Sequence, residues 1–187
     1  MREIRNLVRN PKPANTSGWV LSHATAVFGD GMRLEGDSDN SYACCAITFM
    51  EPGDYVAVAT LVNVYNDTGF AGDSCMLVGL YRNDGGIAYA SAPYAGTGCQ
   101  YIVPFTVPEA NTKRKADVIL RTPLTGDAAS NACRWARVGM FAADAWAAMQ
   151  SAGIEWFDGD NYIVAPPRSI DPILCRANRH LDLVVVA

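Results

Sequence analysis

The chain has 187 residues, half of them hydrophobic and 18% charged, with a formal net charge of −4 and a pI near 5.1. That is the length of one domain, able to bury roughly 70% of its unfolded surface. The acidic balance argues against nucleic acid, which selects for a basic face, and no run approaches the roughly 20 apolar residues of a bilayer crossing, so membrane insertion is not expected.

The opening MREIRNLVRN carries Arg2, Arg5 and Arg9 with no apolar stretch, so it does not read as a secretory signal. From residue 19 the apolar pattern has period two. WVLSHATAVF (19–28), YACCAITF (42–49), DYVAVATLVNVY (54–65), SCMLVGLY (74–81), CQYIVPFTV (99–107), ADVILRT (116–122) and CRWARVGMF (133–141) read as strands, rich in β-branched and aromatic residues. Turn clusters such as FGDGM, EGDSDNS, MEPGD, RNDGG and LTGDAASN separate them. Short strands punctuated in this way predict an all-β, antiparallel sandwich or barrel over residues 1–165. One helix is expected at 142–152, with Trp146 and Met149 packing on the sandwich and Gly153 as the stop.

GIEWFDGDN follows. Trp156 and Phe157 before Asp158-Gly159-Asp160 read as a turn with a hydrophobic anchor, because Asp bonds its own backbone and Gly supplies positive φ. Beyond residue 165 the texture changes. Pro166, Pro167 and Pro172 predict that 166–187 leaves the domain as an extended arm. Leu181, Leu183 and Val185 share one face of its apolar end and would make subunit contacts by adding a strand to a neighbour's sheet edge.

Cys44, Cys45, Cys75, Cys99, Cys133 and Cys175 read as free thiols, since an ample core and no signal argue against a disulfide framework. Adjacent Cys44 and Cys45 should point to opposite faces of a strand. No CxxC occurs and His23 and His180 lie far apart, so no zinc site is expected. No nucleophile elbow, phosphate loop, HExxH or dinucleotide fingerprint is present, so the chain reads as a non-enzyme with no catalytic residue and no cofactor. Glycan or partner contact would need exposed aromatics, and Tyr65, Tyr81, Tyr89, Tyr94 and Trp156 are the candidates. Tyr101 shares a face with Val103 and Phe105 and reads as core.

Several short motifs recur in a recognisable order: Asn6, Leu7, Asn10, Pro11, Gly18 and Trp19 in an NL-x-x-NP…GW opening, then GDSDNSYACCAI, PGDYVAVATLVNV and CQYIVPFTVPEA, and finally WARVGMF followed by WFDGD. Over residues 4–161 this order resembles the carbohydrate-binding-module-like jelly rolls in tail proteins of phages infecting Actinobacteria. The resemblance implies a jelly-roll β-sandwich in a virion structural protein, foremost a minor tail protein contacting the host surface. Such a protein is assembled in the host cytoplasm, is not secreted, and is partnered by other virion proteins, by copies of itself as a homo-oligomer, and by host-surface glycan. A capsid decoration or head-fibre protein is the alternative in that class, and a free-standing glycan-binding module the alternative outside it. Many such jelly rolls hold calcium on an acid after the Asn-Pro turn and an Asp in the last core strand. Lys12 and Arg137 stand in those places here, so no metal is expected. Asp37, Asp39 and Asn40 lack the downstream glutamate and glycine spacing of a calcium loop and read as a solvated turn.

Overall fold

The computed structural model describes residues 2–65, 69–124, 131–157 and 161–164. Twelve strands form among these residues: β1 (Arg2–Arg5), β2 (Val20–Ser22), β3 (Ala24–Gly29), β4 (Gly31–Gly36), β5 (Tyr42–Thr48), β6 (Gly53–Val64), β7 (Ser74–Tyr81), β8 (Ile87–Pro93), β9 (Cys99–Val107), β10 (Lys115–Arg121), β11 (Asn131–Ala142) and β12 (Asn161–Val164). A single α-helix, α1 (Ala143–Ser151), follows β11 directly. Two five-stranded antiparallel sheets, β2-β5-β10-β7-β8 and β3-β4-β11-β6-β9, face each other, and β1 pairs with β12 apart from them. This is an antiparallel jelly-roll-like β-sandwich with one short helix, as the strand pattern implied.

Two departures from the sequence pattern have physical causes. The stretch 19–28 is two strands: the chain breaks at His23, whose φ is +49°, and passes from the sheet of β5 to the sheet of β4. Alternation continues across the break, so periodicity alone cannot reveal a change of sheet. Strands β1, β4, β8 and β12 were not expected; glycines flank β4, and β8 ends in Pro93 at a sheet edge. Beyond WFDGD the chain forms β12, which pairs with β1 from Arg2↔Val164 to Arg5↔Asn161. Asp158, Gly159, Asp160 and the arm with Leu181, Leu183 and Val185 lie outside the described residues, as does Cys175.

Between the sheets lie Met32, Leu34, Cys45, Leu61, Met76, Val118, Leu120, Trp135 and Met140. Strand β6 reads as a near-continuous apolar run because it is buried on both faces. Its Tyr55, Ala57, Ala59 and Leu61 enter this core, whereas Val56 and Val58 enter a second cluster with Phe141, Trp146, Met149 and Phe157. Helix α1 stops where expected. Gly153 takes φ +71°, its N–H reaches Gln150 O at 3.0 Å, and Ile154 N–H reaches Met149 O at 2.9 Å. That is a Schellman ending, and Ile154 packs on the cluster that holds Met149.

Cys44, Cys45, Cys75, Cys99 and Cys133 are free thiols. Cys45 is buried and Cys44 half-buried on the opposite face of β5. Burial pushes the Cys45 and Cys75 thiols up to about 11 and the Cys133 thiol further upward. Among the described residues no helix is long and apolar enough to cross a membrane.

Candidate functional site

The outer face of β2-β5-β10-β7-β8 has no described helix or strand packed over it. Register aligns its outward residues: Tyr81 pairs with Ile87, Gly79 with both Tyr89 and Asp117, and Asp117 with Ala46. Ala116, Val118 and Leu120 point into the core, so Lys115, Asp117 and Ile119 point out.

At its centre is a polar trio. The Tyr81 hydroxyl donates to Asp117 Oδ2 at 2.7 Å, and the Lys115 ammonium lies 3.9 Å from the centre of the Tyr81 ring. Lys115 Nζ is 3.8 Å from Asp117 Oδ1, and that oxygen is buried with no hydrogen-bond partner. It carries ion-pair attraction while an acceptor position stays unfilled. The Tyr81 phenol is raised above its ordinary value: Lys115 lowers it, but the Asp117 hydrogen bond, burial and the Asp117 charge outweigh that effect. Lys115 is raised as well, first by the Tyr81 oxygen, with burial opposing and the Asp117 charge assisting.

Beside the trio lies Tyr89, 60% exposed. A side chain on Gly79 would come within 3.1 Å of Ile87 Cγ2 and 3.3 Å of Tyr89 Cε1, so the glycine leaves room for both to lie across β7. The face therefore offers an exposed aromatic ring and an ammonium, with the Asp117 carboxylate buried behind them. An aromatic ring stacks on the C–H face of a sugar while a few polar groups fix its hydroxyls.

Of the aromatics singled out in the sequence, folding brings only Tyr81 and Tyr89 to this face. Tyr94 packs on Phe70, ring centres 4.9 Å apart, against the inter-sheet core. Tyr65 sits at the end of β6 in the other sheet, with the Arg33 guanidinium 4.7 Å from its ring centre. Trp156 donates Nε1–H to Val138 O at 3.1 Å, and Phe157 lies 5.6 Å from Phe141, so this pair anchors the chain after α1 to the outside of β11. Tyr101 is buried, and its hydroxyl donates to Gly96 O at 2.6 Å. Lys115 and Asp117 were not singled out. Their only signal was polar alternation within KADVILR, which any solvated strand face shows.

The N-terminal motif serves the fold. Strand β11 bulges between Ala136 and Gly139, with Arg137 at φ +52°. Buried Asn6 donates Nδ2–H to Val138 O at 3.3 Å and accepts Met140 N–H at 3.1 Å and Val8 N–H at 3.2 Å; Pro11 O accepts Val138 N–H at 2.9 Å. Lys12 and Arg137 are both exposed near this bulge. Among the described residues no group of three or more His, Cys, Asp or Glu side chains is placed to hold a metal ion. Asp37 lies 3.5 Å from His23, and the turn around it is built on Ser38 and Ser41.

No family model matches the chain, and no curated protein matches it. Among solved structures, the enzymatically active domain of bacteriophage CBA120 tailspike protein 4 is similar with a TM-score of 0.50 at 16% identity, over 72% of this chain and 21% of that one. A CBM22-1–GH10 fragment of Clostridium thermocellum xylanase 10B has a TM-score of 0.48 at 13% identity, over 74% of this chain and 28% of that one. The mannan-recognising module TmCBM27 has 0.39 at 12% identity, over 76% and 99%. The chain thus spans about a fifth of the tailspike domain, and that match shows a shared β-sandwich fold.

Proposed function

We propose that the chain is a virion structural protein, a minor tail component whose open sheet face binds a host-surface glycan. The single observation carrying the glycan assignment is Tyr89 lying beside the Tyr81–Asp117–Lys115 trio on a face that no described element covers. The tail assignment rests on the ordered motifs from Asn6 to WFDGD. In this role the domain is non-catalytic, is assembled in the host cytoplasm, and has other virion proteins and copies of itself as partners. The arm at 166–187 makes the contacts between subunits.

Screening the full-length chain on an array of bacterial surface glycans, followed by calorimetric titration of the best hit, tests the sheet face. Tyr89→Ala and Lys115→Gln are expected to weaken binding at least about tenfold, the loss of a stacked ring or a charged donor, with melting little changed for Tyr89→Ala. A hit that both variants bind unaltered would remove the glycan from this face. Mass spectrometry of separated tails and heads tests the location: recovery with heads alone replaces the tail assignment by capsid decoration.

A further inference from the structure

A concavity opens at one side of the same sheet, where its lining reaches Ala46 and Thr48 of β5, the cross-strand neighbours of Asp117 and Lys115. It is a cleft of about 930 Å³ between the segment after β1, the end of β5 and the start of α1. That is within the range of sites that enclose small ligands. Arg5, Arg9, Phe49, Glu51, Tyr55 and Asp144 are among the residues that line it.

Phe49 is out of place on two counts. Along β5 the inward positions are Ala43, Cys45 and Ile47, so alternation sends residue 49 into the core. Instead Phe49 takes φ +60°, a genuine outlier for a bulky residue, and stands 90% exposed. Met50 fills the core position, its backbone tied to Arg114 by N–H to Arg114 O at 3.0 Å and by Arg114 Nη1 to Met50 O at 3.4 Å. Backbone strain of this kind persists where surroundings enforce it, and it clusters at ligand clamps.

The lining carries two arginines, Arg5 and Arg9, and two acids, Glu51 and Asp144, and they differ in their partners. Glu51 lies 3.9 Å from Arg114, and Asp144 has an interaction of its own. Arg5 and Arg9 form no ion pair with any described residue. Two guanidiniums with no ion pair among the described residues, in one cleft with an exposed aromatic ring, suit a flat, partly apolar anion, since guanidinium forks match carboxylate and phosphate oxygens.

We propose that this cleft binds an acidic saccharide, its ring stacked on Phe49 and its carboxylate or phosphate held by Arg5 and Arg9. The site uses side chains other than those of the Tyr89 face it borders, and one experiment tells them apart. The full-length chain is titrated with trigalacturonic acid, with neutral galactotriose and with a glycerol-phosphate oligomer. At least one acidic probe is expected to bind about tenfold or more tightly than the neutral one, and to weaken as salt rises from about 50 to 500 mM. The arm that binds identifies the acid as carboxylate or phosphate. Arg5→Gln with Arg9→Gln should abolish the preference. Phe49→Gly should lose binding while melting at the same temperature or higher, because glycine accepts this φ without strain. Tyr89→Ala should leave acid binding unchanged. Equal affinity for the neutral probe, no binding by either acid, or acid binding that survives in the Phe49 and arginine variants would each overturn the proposal. Loss in Tyr89→Ala alone would move the acid to the sheet face.

Discussion

Strands β6 and β7 read alike in sequence, both as unbroken apolar runs, yet their outer faces meet different fates. Outside β6, Val56 and Val58 disappear under α1 and the Phe141–Trp146–Phe157 cluster. Outside β7, where no described element packs, the space over Gly79 is bounded by Ile87, Tyr89 and Ile119 of the same sheet, and Leu77 is nonetheless buried. An apolar outward position therefore reports that something adjacent excludes water, not that a further layer of structure lies over it. The covered face is committed to stability, whereas no described element covers the other.

The sharpest way to break that contrast is to truncate on the covered side. Phe141→Ala, which empties the centre of the outer cluster, should cost about 3–5 kcal/mol in denaturant unfolding. A cost below about 1 kcal/mol would show that α1 and the aromatic pair are ornament to a sandwich stable without them.

The inside and outside of one strand can be compared by pH. Cys45, facing the core, has its thiol at about 11 against an ordinary 9.0, and Cys75 the same. Their folded values are raised, so the associated stability is fully present below pH 9 and is lost as pH rises from there towards 11. The gap of about two pH units corresponds to about 2–3 kcal/mol for each thiol. Melting temperature should hold level from pH 7 to 9 and then fall, and at pH 8 a thiol reagent should label Cys44 before Cys45. Equal labelling rates would contradict the assignment of the two faces.

Asn6→Ala, at the join of the N-terminal segment to the β11 bulge, should cost about 1–3 kcal/mol by stranding the buried Met140 and Val8 N–H groups. On the open face the effects shrink. Tyr81→Phe removes one hydrogen bond to Asp117 and should cost about 1 kcal/mol. Tyr89→Ala should stay within about 0.5 kcal/mol of the parent in unfolding experiments, as exposed positions do. A larger loss there would mean that Tyr89 belongs to the fold and not to a ligand.

Local features were legible before folding was considered. The helix over 142–152 with its Gly153 stop, the alternation placing Tyr101 with Val103 and Phe105, and the opposed Cys44 and Cys45 each depend on neighbours a few residues away, whose spacing the chain carries directly. What could not be read depends on partners far along the chain. Val138 O is met by Asn6 and Trp156, across 132 and 18 residues respectively. Tyr81 finds Asp117 across 36 residues. The same limit explains the change of sheet at His23 and the outward turn of Phe49, since a single left-handed φ reverses a side chain without disturbing the pattern of letters around it. Period two says that a strand has two faces. Which of them ends up under α1, and which stays open beside Tyr89, is decided only when distant strands pair and the helix finds the one face whose Val56, Val58 and Phe141 it can bury.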